Sequence, residues 1–162
     1  MTDARRNETE KPTYSIWNDQ PISDDPVDFL NWFRGLTLPQ QVLFPTEWLC
    51  IEVYNGGFHQ YFSNSTGLHA PEAVLGFRAL GLDDIADIVD RAIAVFGKDY
   101  PRARTTREEF LDAIEGDDIS EWNPFFELDD EFYEAIKIPG APAFYADDRF
   151  TIAAKDYVGS DT

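Results

Sequence analysis

Cysteine, histidine and lysine are all scarce in this 162-residue chain, which has one Cys, two His and four Lys. A lone cysteine, Cys50, makes no internal disulfide, which fits a reducing cytoplasm. Its apolar setting reads as a small buried hydrophobe rather than a nucleophile. His59, His69 and one buried thiol fall short of the three or four ligands that zinc requires. No calcium loop of alternating Asp around a central Gly is present. The Gly56-Gly57 pair has no following Lys to hold a phosphate, and nothing around Ser63 or Ser65 has the pattern of a nucleophile elbow. The expectation is therefore no cofactor, no metal and no catalytic residue. No apolar run reaches the roughly 18 residues of a membrane span. Met1 to Pro12 is polar and lacks the apolar core of a signal peptide. Strand-like alternation with β-branched residues is absent as well, so the fold class is all-α, with seven or eight helices in one domain.

One charge sign is abundant. Asp and Glu total 31 against 13 Lys and Arg, a net of −18. Such a chain repels DNA, RNA and anionic membranes, so direct nucleic-acid binding and membrane binding are excluded as functions. The partners left are cations and basic proteins. The acid is gathered rather than spread. Glu108 to Glu134 holds twelve carboxylates and no Lys or Arg. On a helix after Thr106, Glu108, Asp112 and Glu115 line up opposite Phe110, Leu111 and Ile114. On an earlier helix, Asp83, Asp87 and Asp90 line up away from the stripe of Ile85, Ile88, Val89, Ala92 and Phe96. Asp117, Asp118, Asp129 and Asp130 extend the acidic run. Neighbours at these spacings lie about 5–6 Å apart at Cβ, and two such faces side by side would roughly imitate the phosphate ladder of a DNA strand. The plainer readings are a solvated face and an acidic protein adapted to salt.

Punctuation divides the rest. Residues 1–23 read as a polar arm of disorder-prone composition, followed by a single helical domain over 24–162. Asp24-Asp25-Pro26 starts a helix with Val27, Leu30 and Phe33 on one face, and Gly35 ends it. A short segment from Thr37 to Phe44 is expected to be interrupted by Pro45. A central helix over about 46–54 is apolar on nearly every side, with Glu52 as its exception. Free N–H groups at the Gly56-Gly57 corner are the expected partners of that carboxylate. Further helices are expected from Ala70 to Gly81, from Asp83 or Asp84 to Gly97, from a capping box at Thr106 and Glu109 to Gly116, from an Asp129-Asp130-Glu131 cap, and over about 147–158. The linker from Lys98 carries Arg102 and Arg104, with Arg107 just beyond it.

The least generic run is Glu52-Val53-Tyr54-Asn55-Gly56-Gly57-Phe58-His59-Gln60-Tyr61-Phe62-Ser63-Asn64-Ser65-Thr66-Gly67. Asn55 with two glycines stops one helix and turns the chain sharply. Phe58, Tyr61 and Phe62 then share a face and plug the core. A pocket lined by Asn55, His59, Gln60 and Asn64 is the alternative reading, as a small-ligand site or an enzyme site.

This run resembles the signature of a bacterial family of small proteins, most of unknown function, named for a DNA mimic. Pro71-Glu72-Ala73 and Leu128-Asp129-Asp130-Glu131-Phe132-Tyr133 are similar to the family too. The resemblance implies an acidic, all-helical dimer that occupies the DNA-binding surface of a transcription factor. It implies the architecture through the structural positions Glu52, Asn55, Gly56, Gly57, Phe58, Gln60, Tyr61, Phe62 and Asn64, and it transfers no contact residue. The expected function is thus a non-catalytic protein binding a basic DNA- or RNA-binding protein through its acidic faces.

Overall fold

In the computed structural model, which describes residues 20–21, 25–115, 123–141 and 147–160, the expected helices form and no strand appears among the described residues. Helix α1 spans Pro26–Arg34, α2 Leu38–Ser63, α3 Ala70–Ala79, α4 Asp83–Ala94, α5 Arg104–Glu115, α6 Phe126–Ile136 and α7 Arg149–Ser160. A 3₁₀ helix, Ser65–His69, joins α2 to α3. The fold is all-α and forms a single domain. The polar arm falls outside the described residues except for Gln20 and Pro21.

Polar side chains explain three of the helix starts. Asp25 caps α1, its carboxylate accepting from Val27 N–H at 2.8 Å, with Pro26 preset for the first turn. Asp148 does the same for α7, accepting from Thr151 N–H at 2.7 Å. The side chain of Asn123 accepts from Phe125 N–H at 2.9 Å ahead of α6. Two starts differ from the sequence expectation. α5 begins at Arg104, which puts Thr106 inside the first turn rather than at a cap. α6 begins at Phe126, so Asp129 is a helix residue rather than a cap.

Pro45 does not interrupt anything. It lies inside α2, which runs through the expected break as one 26-residue element. Proline removes one backbone donor and crowds the preceding turn. The carbonyl left without its donor is Gln41 O, four residues back, while the neighbouring Thr46 hydroxyl donates to Val42 O at 2.9 Å and Leu43 O at 3.0 Å, which buries that hydroxyl with its hydrogen bond made. The sharp corner falls where it is expected, at Gly56 and Gly57, whose dihedrals leave the helical region. Gly57 has φ +72°, a left-handed value at which a side chain is strained.

α2 is the central element. It packs on α3, α5, α6, α7 and the 3₁₀ helix, while α4 packs between α3 and α6. Leu49, Val53, Phe58, Tyr61, Phe62, Phe77, Ile85, Val89, Phe125 and Phe132 are fully buried in the main core. The aromatic plug forms as its spacing predicts, with Phe58, Tyr61 and Phe62 at 0% exposure. A second, smaller cluster of Phe29, Phe44 and Leu68 lies under α1. On α1 the inward residue is Phe29, not Val27, which is 60% exposed.

Candidate partner-binding surface

Beneath the surface, the distinctive run is held by a dense polar network. Glu52 is buried, and its carboxylate accepts from Gln60 Nε2 (2.8 Å), Asn64 Nδ2 (2.9 Å) and Thr66 Oγ1 (3.1 Å). The backbone at the Gly56-Gly57 corner is not its partner, contrary to expectation. That role belongs to Asp129, which reaches in from α6 and accepts from Phe58 N–H at 2.7 Å. Asp129 therefore caps the second half of α2 across 71 residues of sequence. Burial raises its pKa, and the Phe58 N–H partly offsets the rise. A Cβ on Gly57 would lie 2.5 Å from Asp129 Oδ2, so the glycine leaves room for the carboxylate as well as supplying the left-handed turn.

Arginines clamp the carbonyls of the same run from the other side. Arg107 is fully buried. It donates to Phe62 O (2.8 Å), Asn64 O (2.8 Å), Pro101 O (3.3 Å) and Arg102 O. Arg104 donates to Ser63 O at 3.0 Å. Arg102 donates to Leu68 O at 3.0 Å and forms a two-point pair with Glu72, both contacts 2.8 Å. Tyr100 hydroxyl closes the set on Gly67 O at 2.6 Å. A Cβ on Gly67 would meet Tyr61 O at 2.8 Å and Arg107 Nε at 3.0 Å, which is why a glycine stands there. A planar guanidinium offers five donors in a fixed fork, and here it satisfies carbonyls at the C-terminal end of α2 and in the tight 3₁₀ turn.

The four residues of the pocket reading are placed differently. Gln60 and Asn64 both donate to Glu52, whereas Asn55 is exposed and His59 half-buried. Among the described residues no group of His, Cys, Asp and Glu is placed to hold a metal ion. A shallow cavity of about 530 Å³ lies elsewhere, between the end of α3 and α7, and is lined by Leu80, Leu82, Arg149, Ile152, Ala153 and Tyr157 among others.

The acids divide between the inside and the outside. Asp83, Asp87 and Asp90 are exposed along α4, as predicted, and Asp130 is exposed on α6. Glu108 is half-exposed and paired with Arg104 at 2.9 Å, and Asp112 is exposed. Glu115 is the last residue of α5. Asp117 and Asp118 lie outside the described residues. Asp129 is drawn in to the corner and leaves the outer face. The expected pairing of acidic helices also changes. α5 packs on α2 and the 3₁₀ helix, whereas the helix alongside α4 is α6. α6 brings Glu127, Asp130, Glu131 and Glu134 to the surface at positions i, i+3, i+4 and i+7, one face of a helix. Arg91 ties the two helices by a two-point contact with Glu131, which holds that carboxyl below its ordinary pKa. Arg78 spans Asp83 (3.6 Å) and Asp87 (2.8 Å), and Arg149 grips Asp84 at 2.6 and 3.0 Å. Asp90, Glu127 and Asp130 make no ion pair among the described residues.

Sequence reasoning missed Arg107 and Asp129 as structural groups. The only signal was indirect: three arginines clustered in a chain with 13 basic residues had to face something other than the acidic surface. Compared with known proteins, the chain matches no curated protein and no solved structure. A family profile described as DMP19-like protein matches residues 34–146, a span that includes the corner, the arginine clamp and helices α2 to α6. No helix among the described residues is long and apolar enough to cross a membrane. The chain belongs to the DMP19-like protein family.

Proposed function

We propose that this protein is a non-catalytic DNA mimic that occupies the DNA-binding surface of a basic DNA-binding protein, and regulates that protein by doing so. The observation that carries this reading is the joined acidic face of α4 and α6. Asp83, Asp84, Asp87 and Asp90 stand on one helix and Glu127, Asp130, Glu131 and Glu134 on its neighbour. Glu108 and Asp112 on α5 form a second acidic edge. Arg107 is buried against backbone carbonyls, and Arg102 and Arg104 divide their donors between carbonyls and the carboxylates of Glu72 and Glu108. The cations that remain outside, such as Arg78 and Arg91, sit in exposed pairs, which are worth little and exchange readily for a partner's side chains. Complementary fields of this kind set association rate and salt dependence more than bulk affinity.

The test is capture at low salt. The immobilised full chain should retain a basic DNA-binding protein, released as ionic strength rises and the Debye length shrinks below about 10 Å. The double reversal Asp90→Lys with Asp130→Lys should abolish retention. Retention of no such protein at low salt would overturn the reading. Unchanged retention by the reversed variant, combined with loss on Glu108→Lys with Asp112→Lys, would move the surface to α5.

A further inference from the structure

The small aromatic cluster closes over a polar atom that has no partner. His69, the last residue of the 3₁₀ helix, is 0% exposed. Its Nε2 makes no hydrogen bond among the described residues, and its Nδ1 is 3.5 Å from the Tyr61 hydroxyl, the outer limit for one. The imidazole lies between Phe29 of α1 and Phe44 of α2, each 5.5 Å away between ring centres. Phe29 is the one buried side chain of α1. Among the described residues, α1 meets the body through rings and apolar side chains: Phe29, Trp32 and Phe33 against Phe44, Leu68, Trp48 and His69. No ion pair or hydrogen bond from Pro26–Arg34 to another helix supports it there.

The charges around the ring oppose a proton on it. Arg107 from α5 and Arg102 from the preceding loop both act in that direction, and together with burial, the largest cause, they lower the His69 pKa to about 3. The carboxylates that could compensate are occupied. Glu72 of α3 is held by Arg102, and Glu52 of α2 by Gln60, Asn64 and Thr66. From α2 the ring also faces the Tyr61 hydroxyl, whose ionisation is suppressed by burial. α1 turns a phenyl ring toward it, not an anion.

We propose that α1 is a strap released by acid: protonating His69 favours a form in which α1 lifts off, the imidazole reaches water, and Phe44 and Leu68 are uncovered. The released ring would titrate near its ordinary value of about 6.5. A docked ring that resists the proton therefore contributes stability above that pH, and loses it as pH falls from about 6.5 toward 3. For a single proton the released form gains at most about tenfold per pH unit in this window. The main core is a separate cluster, so α1 can lift without opening the rest.

Hydrogen exchange on the full chain, corrected for the intrinsic pH dependence of exchange, tests this. The peptide covering 26–34 should lose roughly tenfold in protection between pH 6 and pH 5, while the peptide covering 83–94 keeps its own. His69→Phe, which fills the cage without a titratable group, should keep α1 protected across the range. The His69 ring protons of the unsubstituted chain give a second readout that needs no variant: the ring should stay neutral while α1 is mostly docked and take up its proton at the pH where the released form becomes the majority. The proposal is overturned if α1 protection stays flat from pH 7.5 to pH 5. It is also overturned if α1 and α4 lose protection together, if His69→Phe loses it to the same extent, or if the His69 ring takes up its proton while α1 remains docked.

Discussion

Arg107 and Arg91 are the same side chain put to opposite uses. Arg107 is sealed inside and meets four backbone carbonyls of the corner region and its flanking loop. Arg91 is 53% exposed and meets one carboxylate of a neighbouring helix. A buried guanidinium bonded to four backbone carbonyls locks the chain's path, because removing it strands acceptors that water cannot reach. An exposed pair is screened and nearly neutral in energy. The carboxylates divide in the same way. Glu52 and Asp129 are buried and hydrogen-bonded, while Asp90 and Asp130 are left to the solvent. In this chain, charge inside specifies shape and charge outside makes a field.

That contrast can be broken from the inside first. Arg107→Met should cost at least about 3 kcal/mol, since several buried carbonyls lose their donor at once, and urea unfolding would show it as a lowered midpoint. Gly57→Ala comes next, at about 2–3 kcal/mol, because the backbone is left-handed and the new methyl collides with Asp129. Asp129→Ala should cost about 1–2 kcal/mol, the loss of one capping bond. In that variant the amides after Gly57 should exchange faster while those of α4 do not. Asp90→Lys with Asp130→Lys should move the unfolding midpoint by less than about 0.5 kcal/mol yet remove partner binding. If that double variant unfolds as readily as Arg107→Met, the division between inside and outside is wrong.

Much of the inside was legible before any coordinates. The spacing of Phe58, Tyr61 and Phe62 placed the plug, the glycines placed the corner, and stripes such as Ile85, Ile88 and Val89 placed the core faces. Local chemistry accounts for these, so local sequence reveals them. What was hidden depends on partners distant in the chain. Pro45 reads as a break until the burial of Val42, Leu43, Phe44, Thr46 and Leu49 on both sides of it is seen, packing that outweighs the local cost of the proline. Asp129 reads as one more surface acid until Phe58 N–H is found beside it, 71 residues away. The acids of α4 seemed to pair with those of α5 because both runs have clean helical spacing, but the side-by-side placement of α4 with α6 is a property of packing that periodicity does not contain.

The central claim is that the α4–α6 face competes with DNA for the same surface of a partner. Once a captured partner is in hand, the direct measurement is displacement from the immobilised chain by short duplex DNA at fixed, low ionic strength. The account predicts that duplex DNA releases the partner in proportion to occupancy of its DNA site, and that the Asp90→Lys, Asp130→Lys chain never holds it. A ternary complex, with DNA and this protein bound to the partner together, would contradict it.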